Sequence, residues 1–293
     1  MVKIPEEMKE IFNLEEEVDE NLKKLAEKEQ TVLILLAAPY KGVRIAPGTE
    51  EYAQIGLSEE FGIEETISRI KEKIGDKIKK VYLILNSPGG SLNSSYKVAR
   101  MIRENVENLT IFVPYISKSG GTLVALSGDE IIMGPMSELG PLDVVIPYKD
   151  GWVSALAAFR TWSVLGNELK DKSADEVPLH LQMLADKYDP LLMGMYQGVL
   201  VCMQNYATEL LQSGMFKNNA EKAQQIAQSL VWGFQDHGEV INYNKALQFG
   251  LKVRWYGDVK ETWELIRQWL SRYLLKSARV HFIRYVIPKT MKK

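Results

Sequence analysis

The sequence predicts an α/β protein in which a mostly parallel sheet is followed by a mainly helical second half, and three observations lead to this prediction. Up to about residue 150, short apolar runs alternate with stretches of helical periodicity, a pattern typical of strand and helix units in a parallel sheet covered by helices. Beyond that point, apolar residues have helical spacing in four stretches, 153–166, 179–213, 219–231 and 260–276. The composition is 46% hydrophobic, with 36 Lys+Arg, 38 Asp+Glu and a net charge of −2, which is typical of a globular protein.

The composition also excludes several classes of protein. A near-neutral charge argues against a nucleic-acid-binding protein, which carries a strongly basic face. Cys202 is the only cysteine, so no intramolecular disulfide can form, and the three histidines lie too far apart for zinc-ligand spacing. The longest strongly apolar run, residues 32–38, is too short to cross a bilayer, and the first residues lack the pattern of a signal peptide. We therefore expect a cytoplasmic protein without a metal or nucleotide cofactor.

The first elements are a helix, a strand and a second helix. An amphipathic helix is predicted over residues 6–30. A strand over 32–38 follows, and it leads into a loop rich in proline and glycine. The next helix carries isoleucines at positions 63, 67, 70 and 74 and ends at Gly75.

Three further strands continue the alternation. The continuous apolar run at 81–85 predicts a strand that is buried on both faces and stops at the turn 86–90. Ser91 is a good N-cap for the helix that follows. The remaining predicted elements are a strand over 109–115, a short helix opened by Ser119-Gly120-Gly121 and a strand over 130–133.

We divide the chain into an N-terminal helix (1–30), a core (31–150) and a helical region (151–293) that completes the domain and mediates oligomerisation. The helical region holds more large apolar side chains than a lone helical arm could keep in solution, so we expect part of it to contact another subunit. Burial inside one domain is the alternative. These side chains are Trp152, Trp162, Met193, Met195, Tyr196, Trp232, Trp263 and Trp269.

Two glycine-containing turns place backbone N–H groups at strand ends, where open parallel sheets carry their sites. In the first turn, Gly89 and Gly90 let the main chain approach a ligand without a Cβ in the way. In the second, Ser119 lies at the start of a helix, just before Gly120. Singly, each motif is usually a turn or a helix cap. Together they can supply a nucleophile and an oxyanion hole, with one N–H from each turn.

At these motifs the sequence resembles the Clp-protease and crotonase-fold superfamily. Within it, the chain is most similar to the serine dehydrogenase proteinase family, with signal peptide peptidase A as a close cousin. The resemblance is strong over about residues 80–145 and resumes weakly after His237. The segments that carry it are 83–90 (LILNSPGG), 119–126 (SGGTLVAL), 129–133 (DEIIM) and 139–143 (LGPLD), followed by 237–241 (HGEVI) and 246–253.

The resemblance implies a ClpP/crotonase-like ββα superhelix and a serine peptidase. It places the nucleophile at Ser119 and the oxyanion donors at Gly120 and in the turn of Gly89 and Gly90. An acyl-enzyme would form on Ser119 during hydrolysis of a peptide or protein substrate.

The general base is harder to place. The Clp subunit carries its histidine about twenty-five residues after the serine, where this chain has Asp143, and no histidine lies between Ser119 and His180. We therefore do not expect a Ser-His-Asp triad of that type. Asp143 could hold a water or the active loop, or serve only as a turn residue. For His237, in a predicted turn, we expect a structural hydrogen bond.

The signal peptide peptidase variant instead uses a lysine about fifty residues beyond the serine, and Lys170 lies 51 residues beyond Ser119. A Ser-Lys dyad requires a desolvated, neutral amine, and the polar surroundings of Lys170 also fit a solvated loop. Lys172 is the near alternative. Lys118 is expected to reach solvent or a substrate carboxylate, and Ser117 is a competing hydroxyl.

Two other functions remain open on the sequence alone. Because the base is not fixed, the chain could be a catalytically inactive assembly or peptide-binding module. Acyl-CoA chemistry is the other, since crotonase-fold enzymes use the same two-amide hole on a thioester, although such chemistry has no need of a serine at position 119.

The C-terminal segment is strongly basic, with no acidic residue after Glu264. It also has an apolar stripe, formed by Trp263, Ile266, Leu270 and Leu274. We expect this segment to contact another subunit near its acidic N-terminal helix. Peripheral contact with an anionic membrane is the alternative.

Overall fold

A six-stranded sheet forms the centre of the protein, in a computed structural model that describes residues 20–46, 49–148, 151–276 and 278–292. The predicted helix over 6–30 falls partly outside these residues, and its described part is α1 (Glu20–Glu29). The other helices are α2 (Leu57–Ile74), α3 (Leu92–Asn105), α4 (Gly120–Ala125), α5 (Ala155–Leu169), α6 (Leu179–Ala185), α7 (Pro190–Ser213), α8 (Ala220–Trp232), α9 (Tyr243–Gln248) and α10 (Lys260–Leu274). The strands are β1 (Val32–Ala37), β2 (Val43–Ala46), β3 (Thr49–Glu51), β4 (Ile78–Asn86), β5 (Val106–Val113), β6 (Ile116–Ser117), β7 (Glu130–Met133), β8 (Glu138–Leu139), β9 (Val145–Tyr148), β10 (Gly151–Ser154), β11 (Val253–Trp255) and β12 (Phe282–Val286).

The strand order of the central sheet is β11-β7-β5-β4-β1-β12. The first five strands of this order are parallel to one another, and β12 is antiparallel to β1, with Leu33 opposite Val286. β1 is buried throughout, as its continuous apolar run predicts. The α/β fold class predicted from the sequence is confirmed.

Alternate residues of β1 enter two different apolar layers. Val32, Ile34 and Leu36 pack in the layer covered by α2, α3, α7 and α8. Leu33 and Leu35 pack in the layer covered by α1 and α10. Both faces of the sheet are therefore covered by helices, as a parallel sheet requires.

The second half of the chain supplies both edges of this sheet, through β11 and β12. The sequence predicted helices at the right places in this half but missed both edge strands. β11 is only three residues long, and β12 lies in a basic segment that we read for its charge. The boundary at residue 150 is thus not a boundary of the central sheet.

The apolar stripe of α10 lies inside the protein, which corrects the expectation that it contacts a membrane or a second subunit. Trp263 and Leu274 are each 3% exposed, and Ile266 and Leu270 are fully buried. The acidic partner of this helix is in the same chain, since α10 packs on α1 and Lys28 Nζ lies 2.6 Å from Glu261 Oε2.

The large apolar side chains of the helical region range from buried to exposed, and Trp162, Tyr196 and Trp232 are half-buried. Trp263, Trp269 and Met193 are buried in the chain itself, whereas Trp152 and Met195 are mostly exposed. Further exposed apolar side chains follow along α5, α6 and α7, namely Val164, Leu179, Met183, Leu184, Leu191, Leu192 and Val201. Among the described residues, no helix is both long and apolar enough to cross a membrane.

Candidate active site

Ser119 has a strained backbone and a free hydroxyl. Its φ of 50° and ψ of −118° lie in a region that L-residues rarely adopt, at the turn between β6 and α4. Ser119 is the N-cap residue of α4, yet its side chain makes no capping hydrogen bond. The common role of a serine at a helix start is therefore not realised here, and Oγ is left available at a partly exposed position.

Backbone hydrogen bonds from the end of β4 hold this turn. Ser87 N–H donates to the Ile116 carbonyl at 2.9 Å, and Lys118 N–H donates to the Ser87 carbonyl at 3.0 Å. Within the turn, Gly121 N–H donates to the Lys118 carbonyl at 2.7 Å. The Ser119 turn is thus fixed directly to the end of the strand that carries the other glycine turn.

The turn of Gly89 and Gly90 packs so closely that side chains cannot be accommodated. Gly89 has a φ of 109°, and a Cβ there would lie 2.7 Å from the Lys118 carbonyl oxygen and 3.1 Å from Gly120 N. A Cβ on Gly90 would lie 2.3 Å from both the N and the O of Ile55. The absence of side chains is what lets the two turns meet.

The N–H groups of these glycines are not equivalent. Gly89 N–H donates to Ser87 Oγ at 3.1 Å. Within the described part of the chain, the N–H groups of Gly90 and Gly120 have no acceptor. Gly90 N also lies 3.1 Å from the position that a Cβ on Gly120 would occupy. Of the three predicted oxyanion donors, Gly90 and Gly120 are therefore the free ones.

A histidine and a carboxylate lie beside these turns. His237 Nδ1 is 2.5 Å from Asp143 Oδ1, which leaves Nε2 facing away from the carboxylate. The Asp143 carboxylate is 4% exposed and the His237 side chain 29% exposed. Both His237 and Ser119 line one open groove of about 470 Å³, together with Gln54, Pro88, Gly89, Gly90, Ser91, Leu92, Val144, Val145, Trp152 and Met203.

Sequence reasoning found both members of this pair but did not bring them together. Asp143 and His237 are 94 positions apart, so no local motif joins them. The available signal was that both lie in segments carrying the family resemblance. In the Clp subunit the histidine lies about twenty-five residues after the serine. In this chain Asp143 lies near that position, and the histidine follows only at position 237.

The predicted lysine base lies elsewhere. Lys170 is exposed at the end of α5, and Lys172 lies 4.0 Å from Glu168 on the same segment. Among the described residues that line the groove with Ser119, neither lysine occurs. A lysine acts as a base only when desolvation keeps it neutral, and this position gives Lys170 no such shielding.

Two further candidates also take structural positions. Lys118 is only partly exposed, and its Nζ lies 3.3 Å from the Gly238 carbonyl oxygen and 3.3 Å from Glu138 Oε1. It therefore connects the Ser119 turn to the loop that carries His237. Ser117 is fully buried, which removes it as a competing nucleophile.

A second histidine lies directly behind the glycine turn. His281 Nε2 is 2.9 Å from Ser87 Oγ, and His281 Nδ1 is 3.2 Å from Glu59 Oε1. All three side chains are buried. Burial alone would raise the pKa of Glu59, but hydrogen bonds from His281 and Gly56 outweigh it and lower that pKa. No sequence pattern predicts this cluster.

Among the described residues, the Ser119 turn thus combines a strained backbone and a serine that does not cap its helix with two neighbouring backbone N–H groups that have no acceptor. The family model of the ClpP-like SDH-type serine proteinases matches residues 62–293, and the chain belongs to this family. The fold and the family predicted from the sequence are thus confirmed.

Two relatives are uncharacterized proteins of Methanocaldococcus jannaschii. One is 27% identical over 171 residues, and the other is 28% identical over 177 residues. These matches cover 58% and 60% of this chain but only 51% and 54% of the relatives, so the chain spans about half their length. Among solved structures, a mutant membrane-bound stomatin-specific protease in complex with a substrate peptide is similar, with a TM-score of 0.44 and 16% identity over 71% of this chain and 74% of that one.

Proposed function

We propose that the protein hydrolyses peptide bonds, with Ser119 as nucleophile, His237 as general base and Asp143 as the residue that orients His237. One observation supports this assignment above the others. Ser119, whose hydroxyl makes no capping hydrogen bond, lines the same groove as His237, the residue paired with Asp143. The pair also gives His237 the partner that a catalytic imidazole needs to hold one tautomer.

In this mechanism, His237 Nε2 takes the proton of Ser119 Oγ while Oγ attacks the peptide carbonyl. The oxyanion that forms accepts hydrogen bonds from the N–H groups of Gly90 and Gly120. His237 then gives its proton to the leaving amine, and the acyl-enzyme forms on Ser119. A water attacks this ester in the second half of the reaction, with His237 again acting as base.

In the described residues, Ser119 Oγ and His237 Nε2 are not joined by a hydrogen bond. Catalytic hydrogen bonds are often long in the absence of substrate and shorten in the complex. We propose that a bound peptide closes this contact by displacing water from the groove. Lys170 as base stays a prediction, and its exposed position does not support it.

We also propose that the protein works in the cytoplasm as a homo-oligomer on peptide or protein substrates. The exposed apolar side chains along α5, α6 and α7, Leu191 and Met195 among them, support a contact with a second copy. Light scattering of the Leu191→Asp variant tests this proposal. Its mass should fall, and an unchanged mass would argue against the contact.

The experiment for the active site uses a fluorophosphonate probe and fluorescein-labelled casein on five forms of the protein: the unaltered chain, Ser119→Ala, His237→Ala, Lys170→Ala and His180→Ala. Ser119→Ala should abolish both labelling and hydrolysis, and His237→Ala should lower both by about 10²–10⁴-fold. His180→Ala is the matched control, because His180 is exposed on α6 away from the groove. It should behave as the unaltered protein.

Each result separates the candidate functions. Labelling and hydrolysis that persist in Ser119→Ala would remove Ser119 as nucleophile. A loss of activity in Lys170→Ala, with His237→Ala unaffected, would restore the Ser-Lys dyad. A correctly folded protein that is neither labelled nor active would favour the inactive peptide-binding module.

A further inference from the structure

We propose that Ser87, His281 and Glu59 form a sealed positioning relay, which holds the Gly89–Gly90 turn in the geometry that an oxyanion hole needs. This inference rests on the proposed function. In it, Ser87 and His281 are positioning residues, because they touch the turn and not the substrate.

The three residues are connected in the same order as a catalytic triad, but neither solvent nor a substrate can reach them. Ser87 and His281 are 0% and 1% exposed, and Glu59 is 1% exposed. The three residues come from the end of β4, the segment before β12 and the first turn of α2. A peptide in the groove therefore cannot reach Ser87 Oγ, and the cluster has no nucleophilic role.

One assignment of donors and acceptors satisfies every contact of the relay. Glu59 Oε1 accepts the backbone N–H of His281 at 2.9 Å as well as the ring Nδ1–H, and Glu59 Oε2 accepts the N–H of Gly56 at 2.8 Å. With Nδ1–H directed to the carboxylate, Nε2 is the acceptor for the Ser87 hydroxyl proton. A lone pair of Ser87 Oγ is then fixed toward Gly89 N–H.

This last contact determines which N–H of the turn stays free. Gly89 N–H is occupied by Ser87 Oγ, and the Gly89 carbonyl accepts the N–H of Ile55 at 2.8 Å. With Gly89 held on both sides, Gly90 N–H is left next to Gly120. Loss of the Ser87 hydroxyl frees Gly89 N–H and releases the turn on one side. The geometry of the oxyanion hole then becomes variable.

The test compares Ser87→Ala with Ser137→Ala in the full chain. Ser137 is the matched control, because it is also buried in a turn and its Oγ also accepts a glycine N–H, that of Gly134 at 2.6 Å, while donating to a carbonyl. Three quantities are measured: the second-order rate of fluorophosphonate attachment to Ser119, kcat and KM for a fluorogenic peptide that the unaltered protein cleaves, and amide hydrogen exchange at Gly89.

We expect Ser87→Ala to lower kcat and the attachment rate by about 10–10³-fold with KM within about twofold, since an oxyanion contact acts in the transition state. Exchange at Gly89 should be about fivefold to tenfold faster, as expected for one lost hydrogen bond. Ser137→Ala should leave all three quantities near those of the unaltered protein. If Ser87→Ala does not fold, His281→Gln takes its place, and the same loss of kcat is expected.

Other outcomes separate this inference from the function on which it rests. If the unaltered protein is not labelled at Ser119, the proposed function fails and the relay with it. If the unaltered protein is labelled and Ser87→Ala reacts at the same rate, only the relay is overturned. Equal losses in Ser87→Ala and Ser137→Ala would also overturn it, because they would show a general effect of removing a buried hydroxyl.

Discussion

The protein contains two clusters of the same chemical composition, each with a serine, a histidine and a carboxylate. In the groove cluster, Ser119 and His237 line an open groove, and the buried Asp143 contacts His237 from behind. In the relay cluster, all three side chains are buried and hydrogen-bonded to one another. The difference shows that residue types alone do not make a catalytic site. The clusters differ in their exposure to solvent and in whether the serine hydroxyl is already hydrogen-bonded to other groups.

The two serines differ most in their backbones. Ser119 has a positive φ, and its hydroxyl makes no capping hydrogen bond to the helix. Backbone strain therefore lies at the residue that the proposed chemistry would use. Ser87 directly follows the buried end of β4, and its hydroxyl is hydrogen-bonded to both His281 and Gly89. A free hydroxyl on a strained turn can attack, whereas an engaged hydroxyl in a sealed site can only support.

The largest expected effect comes from neutralising the carboxylate of the groove cluster. Asp143→Asn should lower kcat by about 10²–10⁴-fold, because an amide in place of the carboxylate can hold His237 in the wrong tautomer. The fold should stay intact, and circular dichroism and the melting temperature check this. Activity equal to that of the unaltered protein would show that the two clusters are not functionally different.

A smaller but still large effect is expected where the clusters meet, at Gly90. A Cβ there would lie 2.3 Å from the backbone of Ile55, so Gly90→Ala must displace the turn. We expect about 10–10³-fold slower fluorophosphonate labelling of Ser119, since one donor of the hole moves. Gly166→Ala is the control, because a Cβ at Gly166 meets nothing within 4 Å. Normal labelling of Gly90→Ala would remove Gly90 as a donor.

The relay cluster should affect stability in a pH-dependent way. Since the folded state lowers the pKa of Glu59 below its ordinary value of 4.5, the ionised carboxylate stabilises the fold above that pH. This stabilisation is lost as the pH falls through the lower folded pKa. The difference in unfolding free energy between the unaltered protein and Glu59→Gln should therefore be largest near neutral pH and shrink below about pH 4.5. Urea unfolding at a series of pH values measures it, and a constant difference would contradict the assignment.

The smallest effect is expected at Lys118, which connects the Ser119 turn to the loop that carries His237. Lys118→Met removes the contacts with Gly238 and Glu138 but keeps much of the side-chain volume. Because Lys118 is partly exposed, the ion pair contributes little, and we expect a fall in kcat of about threefold to tenfold. Peptide hydrolysis under saturating substrate gives this number. A loss as large as that of Asp143→Asn would instead indicate a direct role for Lys118 in the reaction.

Only the part of the groove cluster around Ser119 could be predicted from the sequence, because its backbone parts are local, whereas the pairing of Asp143 with His237 could not. A strand, a glycine turn, a helix, a second strand and Ser119 follow one another within about forty residues, so periodicity and turn chemistry place the two turns at one edge of the sheet. The distinction between Gly89 and Gly90 was not accessible. It depends on which N–H group Ser87 Oγ occupies, and no pattern of residue types records that.

The relay and the edge strands of the sheet could not be predicted from the sequence, for a different reason. Glu59 and His281 are separated by 222 positions, and only the pairing of β12 with β1 brings His281 to the site.

The surface that helix α10 covers was predicted wrongly for a related reason. Its apolar stripe has the same pattern whether it covers another subunit or the chain's own sheet, and only the fold shows that it covers the sheet.

The pairing of β12 with β1 also sets the order in which a growing chain can become complete. Leu33 leaves the ribosome early, and its partner Val286 follows only after more than two hundred further residues have been added. A nascent chain can therefore fold the groove strands before it holds His281 behind the glycine turn. If the relay holds that turn as proposed, the turn reaches its final geometry only after β12 has paired with β1.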